Sequence, residues 1–139
     1  MIQKIRSLVE KYWDIITYLI FDGEAEKLIV RTIGGDVCIL ARHMDYVAPL
    51  GMGAAIVESN GKRRTAACIG GMLSVSGGEV NLVPTTFEWA EQIDLDRVLR
   101  SHERADKVLK DSASSDTEIA LAQARLHRAL VRKSVVSFK

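Results

Sequence analysis

The feature that most constrains the fold of this chain is a change of residue pattern near residue 90. All ten glycines and both prolines lie at or before Pro84, and none occurs from there to the C-terminus. Glycine and proline disfavour the interior of helices, so only the C-terminal part is suited to long helices. The length of 139 residues allows one domain, or a small domain with an appendage. We therefore predict two domains, residues 1–91 and residues 92–139.

Short runs of β-forming residues separated by turn signals occupy residues 12–89. Residues 33–35 form one turn signal, and Asn60-Gly61 supplies two residues that tolerate the positive φ of a type I′ hairpin turn. Residues 76–79 supply a further turn. No segment between these runs is long enough for the helical crossover that a parallel sheet needs. The pattern predicts an all-β antiparallel sandwich or barrel.

The start of the chain gives conflicting signals. Residues 12–21 fit a strand, whereas helical spacing is shown by Ile2, Ile5, Leu8 and Val9. The apolar run at residues 13–21 is interrupted by Asp14 and is far shorter than the ~20 residues of a membrane span. We expect neither a membrane span nor a signal peptide here.

From Asp94 onward the apolar residues repeat with a helical period. Asp94 is the predicted N-cap of a first helix, whose apolar stripe is Leu95, Val98, Leu99, His102, Ala105, Val108 and Leu109. Ser115 and Glu118 form the predicted capping box of a second helix. Its stripe is Ile119, Ala122, Leu126, Ala129 and Leu130. The short polar segment between the helices predicts an antiparallel helical hairpin.

The hairpin is basic at its end and poor in large apolar residues. Residues 119–139 contain five basic residues and no acidic one, the basic ones being Arg125, Arg128, Arg132, Lys133 and Lys139. Alanine contributes much less than leucine or valine when it is buried. We therefore expect the hairpin to be held weakly and to be able to detach toward another surface.

Charge and composition exclude several classes of function. The net charge of +1 and an aromatic content of 6% do not fit a nucleic-acid-binding protein. Cys38 and Cys68 lie in strand-like runs and are predicted to be small buried side chains. Cysteine and histidine residues lack metal-ligand spacing, and no phosphate-binding glycine loop is present. We predict no catalytic residues and no metal site.

Five segments in order carry a family resemblance. They are IFDGEAEKLIV, GGDVCILARH, CIGGMLSV, GEVNLVPTTFEWAEQIDLDR and the two-helix tail. In this order and spacing they resemble the epsilon subunit of the bacterial F-type ATP synthase, over most of the chain. The resemblance implies a β-sandwich at residues 1–91 that binds the gamma subunit and the ring of c subunits. It also implies a regulatory hairpin at residues 92–139.

The resemblance further implies a non-catalytic rotor subunit of the central stalk, which couples the catalytic head to the c ring. The hairpin would restrain ATP hydrolysis by reaching the alpha and beta subunits. Such a protein sits peripherally at the cytoplasmic face of the bacterial membrane and contacts the membrane only through the complex. It requires no cofactor.

The resemblance also implies a regulatory ATP site. Ile93, Asp94 and Arg97 match an I-D-x-x-R-A motif of some bacterial members, although Val98 replaces the alanine. By alignment of the helices, the other implied residues are Arg104, Arg128, Arg132 and, more loosely, Glu88. From the residues alone, Asp94 as a helix cap and Arg97 as a surface residue explain the motif without a ligand. An alternative function is a free-standing ATP-sensing module.

Overall fold

The computed structural model describes residues 3–10 and 17–138, with side-chain surroundings for residues 23–138. The helices that it describes are a single 3₁₀ turn (Ala90–Gln92), α1 (Leu95–Lys110) and α2 (Asp116–Ser137). The described strands are β1 (Gln3–Glu10), β2 (Thr17–Ala25), β3 (Lys27–Thr32), β4 (Gly35–Leu40), β5 (Tyr46–Pro49), β6 (Met52–Ser59), β7 (Lys62–Ser76) and β8 (Glu79–Trp89).

The strands form one curled sheet, and the predicted sandwich with a helical hairpin is confirmed. The strand order is β2-β1-β8-β7-β6-β3-β4, with β5 also paired to β7. Gly70 and Gly71 interrupt β7, both with positive φ. Before them β7 pairs with β6, and after them it pairs with β5. A Cβ on Gly71 would lie 2.1 Å from the carbonyl oxygen of Val83. The point at which β7 changes its partner from β6 to β5 therefore requires glycine.

The two predicted hairpin turns are confirmed. Asn60 and Gly61 have φ of 52° and 69° and connect the paired residues Ser59 and Lys62. Gly77 and Gly78 also have positive φ. Two successive residues with positive φ are what a type I′ turn requires, and the twist of that turn matches the twist of the flanking strands.

The helical signal at the N-terminus is wrong within residues 3–10, which form a strand. β1 pairs antiparallel with β2 and parallel with β8, so one strand pair departs from the predicted antiparallel arrangement. Residues 17–21 belong to β2, as predicted, whereas Ile2 and residues 11–16 lie outside the described residues. In the part of the chain that the structure describes, no helix has the length and apolar character to cross a membrane.

The core of the sandwich is formed mainly by aliphatic side chains, and its buried members on strands come from β2, β3, β4, β6, β7 and β8. Its largest fully buried members are Leu28, Val30, Ile39, Leu73, Val75, Val80 and Leu82. Cys68 is buried in this core, as predicted, but Cys38 is exposed. The prediction for Cys38 was wrong because the strand it lies on, β4, is at the edge of the sheet order and buries only alternate side chains.

The helical hairpin follows its predicted caps but only part of its predicted stripes. The Asp94 side chain accepts the N–H of Arg97, and Ser115 and Glu118 form a reciprocal capping box. The residues of the predicted stripes that are buried are Val98, Ala105, Ala122 and Ala129, whereas Leu95, Leu99 and Leu130 are exposed.

The second helix buries two sides, which a single predicted stripe does not describe. Besides the side that faces α1, α2 packs Val131 and Val135 against the sandwich residue Ala67 and against Ala90. Leu130 lies on neither of these sides and remains 45% exposed. A single apolar stripe therefore does not describe α2, and in α1 the predicted stripe is buried at Val98 and Ala105 but exposed at Leu95 and Leu99.

Candidate functional site

A cavity of about 320 Å³ lies where the hairpin meets the end of β8. Five of the seven residues of the predicted ATP site line it, namely Glu88, Asp94, Arg97, Arg128 and Arg132. The remaining lining residues are Gln92, Val98, Ser101, Arg125 and Ala129. The cavity thus brings together side chains from β8, the 3₁₀ turn, α1 and α2.

An ion pair between Glu88 and Arg132 forms part of the lining of this cavity. Arg132 Nε donates to Glu88 Oε2 at 2.8 Å, and the two side chains are 22% and 31% exposed. The same guanidinium also donates to the carbonyl oxygen of Arg128 at 3.4 Å. Because Glu88 lies on β8 and Arg132 on α2, this pair connects the sandwich to the hairpin.

Asp94 has a structural role that is visible in the contacts. Its Oδ1 accepts the backbone N–H of Arg97 at 3.0 Å and caps α1. Side-chain caps of this kind satisfy one of the unpaired N–H groups of a helix start and stabilise it by ~1 kcal/mol. The Arg97 side chain extends from the first turn of α1 and lines the cavity.

The cavity carries an excess of positive charge. Four guanidinium groups and two carboxylates line it. Within residues 23–138, Arg97, Arg125 and Arg128 have no ion-pair partner, whereas Arg132 is held by Glu88. Unpaired guanidinium groups in one cavity repel each other, and a multivalent anion relieves that repulsion. Arginine binds phosphate through two parallel hydrogen bonds, so phosphate groups fit this arrangement.

Two residues of the predicted site lie outside this cavity. Ile93 packs against the apolar cluster around Val131 and Val135. Arg104 lines a second cavity of about 640 Å³ between α1 and α2, and its Nε donates to the carbonyl oxygen of Arg100 at 3.3 Å. The structure therefore does not bring Arg104 together with the other predicted arginines.

Three polar residues of the cavity were not among the predicted site residues. Gln92 accepts the backbone N–H of Trp89 through Oε1 at 3.2 Å, so it also shapes the 3₁₀ turn. Ser101 and Arg125 lie farther along the hairpin. Arg125 could have been found from its spacing, because positions 125, 128 and 132 project from one side of a helix.

A cation–π contact fixes the turn beside the cavity. The Arg64 guanidinium lies 3.7 Å from the centroid of the Trp89 ring and also pairs with the Glu91 carboxylate. The ring of Phe87 contacts Trp89 edge-on at 4.9 Å. These contacts hold the segment from which Glu88 and Gln92 enter the cavity.

Comparison with known proteins identifies the family. A model described as "ATP synthase, Delta/Epsilon chain, beta-sandwich domain" matches residues 16–90, and one described as the long alpha-helix domain of the same chain matches residues 91–137. The chain belongs to the ATP synthase delta/epsilon family. The family match confirms the resemblance that the sequence carries.

Individual relatives agree with this family. The ATP synthase epsilon chain of Caldicellulosiruptor saccharolyticus is 36% identical over 118 residues, which cover 85% of both chains. That of Ruminococcus albus is 39% identical over 122 residues, 87% of this chain and 90% of the relative. A chain in the cryo-EM structure of the Euglena gracilis mitochondrial ATP synthase (OSCP/F1/c-ring) superposes with a TM-score of 0.79. It is 19% identical, covers 96% of this chain and 82% of its own, and shows the shared fold.

Proposed function

We propose that this delta/epsilon family chain is a non-catalytic rotor subunit of an F-type ATP synthase. The observation that carries the proposal is the match of both family domains, which together span residues 16–137. In this role residues 1–91 bind the gamma subunit and the c ring, and they couple the catalytic head to the ring. The assembled subunit lies at the cytoplasmic face of the bacterial membrane.

The sandwich offers a surface suited to such a partner. Ile33, Val47 and Met72 are 74%, 66% and 45% exposed. They lie close together, because the Ile33 N–H donates to the carbonyl oxygen of Pro49 and Met72 pairs with Pro49. Clustered exposed apolar side chains on a folded domain are typical of protein interfaces. This supports gamma binding by the sandwich.

We further propose that residues 92–139 restrain ATP hydrolysis by contacting the alpha and beta subunits. The hairpin touches the sandwich through a small apolar cluster and the pair formed by Glu88 and Arg132. Such limited contact allows detachment at modest free-energy cost. The basic end of α2 suits an acidic partner surface, with association that weakens as salt concentration rises.

ATP is the proposed regulatory ligand of the cavity. A nucleotide there would contact β8, α1 and α2 at once and would therefore stabilise the docked hairpin over the detached one. The unpaired guanidinium groups of Arg97 and Arg128 support phosphate binding. ATP is not required for folding or for binding to gamma in this proposal.

The rotor role is tested by mixing the purified chain with purified gamma and separating the mixture by size exclusion. We expect co-elution with gamma, and elution of the two proteins at their separate volumes would refute the role. The restraint is tested in the assembled complex, with and without residues 92–139. Faster ATP hydrolysis after truncation is expected. An unchanged hydrolysis rate in a complex that retains the sandwich would refute the proposed restraint of hydrolysis, but not the proposed role in the stalk.

The alternative, a free-standing ATP-sensing module, gives a different result in the first experiment. It predicts that millimolar ATP raises the melting temperature, that Arg128→Ala abolishes the rise, and that gamma does not co-elute. An ATP-dependent rise together with gamma binding fits the rotor subunit with a regulatory site.

A further inference from the structure

The segment in which the sandwich passes into the helical hairpin packs on two sides of the sheet. The Trp89 side chain at the end of β8 is buried in the sandwich core. The next residue, Ala90, is buried in the apolar cluster that docks α2. Successive side chains of an extended chain point to opposite faces of a sheet. Residues 89 and 90 therefore belong to both apolar clusters of the molecule.

Arg64 connects this segment to the sandwich. Its guanidinium group, near the start of β7, lies 3.7 Å from the centroid of the Trp89 ring and also pairs with the Glu91 carboxylate. The negative face of an aromatic ring attracts a cation, and the carboxylate adds a charge-assisted hydrogen bond. One side chain of β7 thus contacts the last residue of β8 and the middle of the 3₁₀ turn.

Two extended residues separate the 3₁₀ turn from α1. Ile93 has φ and ψ of −76° and 119°, and Asp94 has φ and ψ of −79° and 101°. Residues at the ends of elements can absorb a change of backbone dihedrals that moves one rigid part against another. A rotation at these two residues reorients the chain from α1 onward, while β8 and the turn stay in place.

We propose that Arg64 is a positioning residue for the helical hairpin, because it holds the 3₁₀ turn on the sandwich and confines the pivot of the hairpin to Ile93 and Asp94. This inference rests on the proposed detachment of the hairpin. When the turn is held, Ala90 is already in place as α2 returns to the sandwich, so docking does not have to order the turn as well. Without Arg64 that ordering cost opposes docking, and the detached hairpin becomes more populated.

The test is hydrogen exchange of single amides, followed by NMR in the full-length chain. In wild type, residues 89–92 are expected to exchange more slowly than α2, because they stay on the sandwich when the hairpin opens. In Arg64→Ala we expect residues 89–92 to exchange at the rate of α2, and both helices to exchange about tenfold faster than in wild type. The rates in β3 and β6 should be unchanged. Arg64→Lys keeps a cation near the ring but loses the planar guanidinium group, and about a threefold acceleration is expected.

Arg63→Ala is the matched control. Arg63 is the exposed neighbour of Arg64 on β7, and among residues 23–138 it makes no ion pair and no cation–π contact. This variant removes the same charge and should leave the exchange rates of the turn and of the hairpin within about twofold of wild type.

The position of the hairpin is measured separately with two spin labels. One is attached to the exposed Cys38 and the other to Ser112→Cys in the loop between the helices, whereas Cys68 is buried. The distribution of distances between the labels should broaden in Arg64→Ala and remain unchanged in Arg63→Ala. A contribution of Arg64 to overall stability alone would not change this distribution.

Wild-type protection of residues 89–92 in both Arg64 variants overturns the inference. Equal acceleration of every strand and both helices also overturns it, because Arg64 would then stabilise the whole fold without positioning the hairpin. If Arg64→Ala does not fold, the threefold effect expected for Arg64→Lys decides the question. Exchange of α2 in wild type that is no faster than that of the core strands would refute detachment of the hairpin itself, and the inference with it.

Discussion

The two thiols of this chain have opposite surroundings. Burial in the sandwich core raises the pKa of Cys68 to about 12, because a thiolate there would lose its hydration. Cys38 is exposed on β4. Thiol reagents attack the thiolate, so reactivity depends on both pKa and access.

We therefore predict that one thiol of the native chain reacts with an aromatic disulfide reagent at pH 8 and that the second reacts only in denaturant. At pH 8 Cys68 remains a protonated, inaccessible thiol. Replacing Cys38 by serine is expected to remove the fast reaction, and replacing Cys68 by alanine is expected to leave it. Absorbance of the released thiolate measures both phases. Two thiols that react at one rate in the native chain would contradict the burial of Cys68.

The ion pair between Arg132 and Glu88 gives a second prediction at this scale. Arg132→Ala leaves a partly buried carboxylate without its partner, and we expect the free energy of unfolding to fall by ~1 kcal/mol. Lys110→Ala removes a surface pair with Asp106, in which Lys110 is 74% exposed, and is expected to cost ~0.3 kcal/mol. Urea titration at low ionic strength compares them. Equal effects would mean that the pair at the hairpin contributes no more than a surface pair.

Single secondary-structure elements differ in how well local sequence predicts them. Local patterns were sufficient to predict features whose contacts span at most three positions. These are the helix cap at Asp94, the turn at Asn60-Gly61 and the capping box at Ser115. The strand β1 pairs with its neighbour β2 and also with β8, which is far away in sequence, and no local spacing reports the second pairing. Likewise, helical period alone does not reveal that α2 buries one side against α1 and another against the sandwich.

The start of α2 provides a pH-dependent prediction. Hydrogen bonds from the backbone N–H and the hydroxyl of Ser115 lower the pKa of Glu118 from its ordinary value of 4.5. A lowered folded-state pKa stabilises the fold above the unfolded-state pKa, and that stabilisation is lost as pH falls through the folded value. We expect part of the stability loss below about pH 4.5 to disappear in Glu118→Gln, because glutamine can form the capping box without titrating.

Thermal melts of wild type and Glu118→Gln between pH 3 and pH 7 measure this effect. The two melting curves are expected to differ by a constant amount near neutral pH and to converge or cross as the solution becomes acidic. Asp116→Asn, an exposed acidic residue in the same turn that makes no capping box, controls for the general effect of charge at a helix start. Parallel pH profiles for wild type and Glu118→Gln would show that Glu118 does not carry the dependence.

At the scale of the whole molecule, the sandwich and the hairpin differ in how they are held. The sandwich core joins fourteen buried residues, whereas the cluster that docks the hairpin has four, Ala67, Ala90, Val131 and Val135. Two of these are alanines, which contribute little when buried. The sequence predicted this weak attachment from the alanine content of the helices. It did not locate the contact, because Val131 and Val135 lie outside the predicted stripe.

This difference predicts that the hairpin opens as a separate unit. Val135 is fully buried between α2 and the sandwich, and Val135→Ala is expected to remove ~2 kcal/mol of docking free energy. Hydrogen exchange followed by mass spectrometry should then be faster by an order of magnitude or more in α2, with unchanged protection in β7 and β8. Val75→Ala makes the same change inside the sandwich core. If the hairpin opens by itself, this variant accelerates exchange in the strands and leaves the rates of α2 as they were. Equal acceleration of every element by both variants would instead mean that sandwich and hairpin unfold as one cooperative body, and a detachable regulatory hairpin would then lack its physical basis.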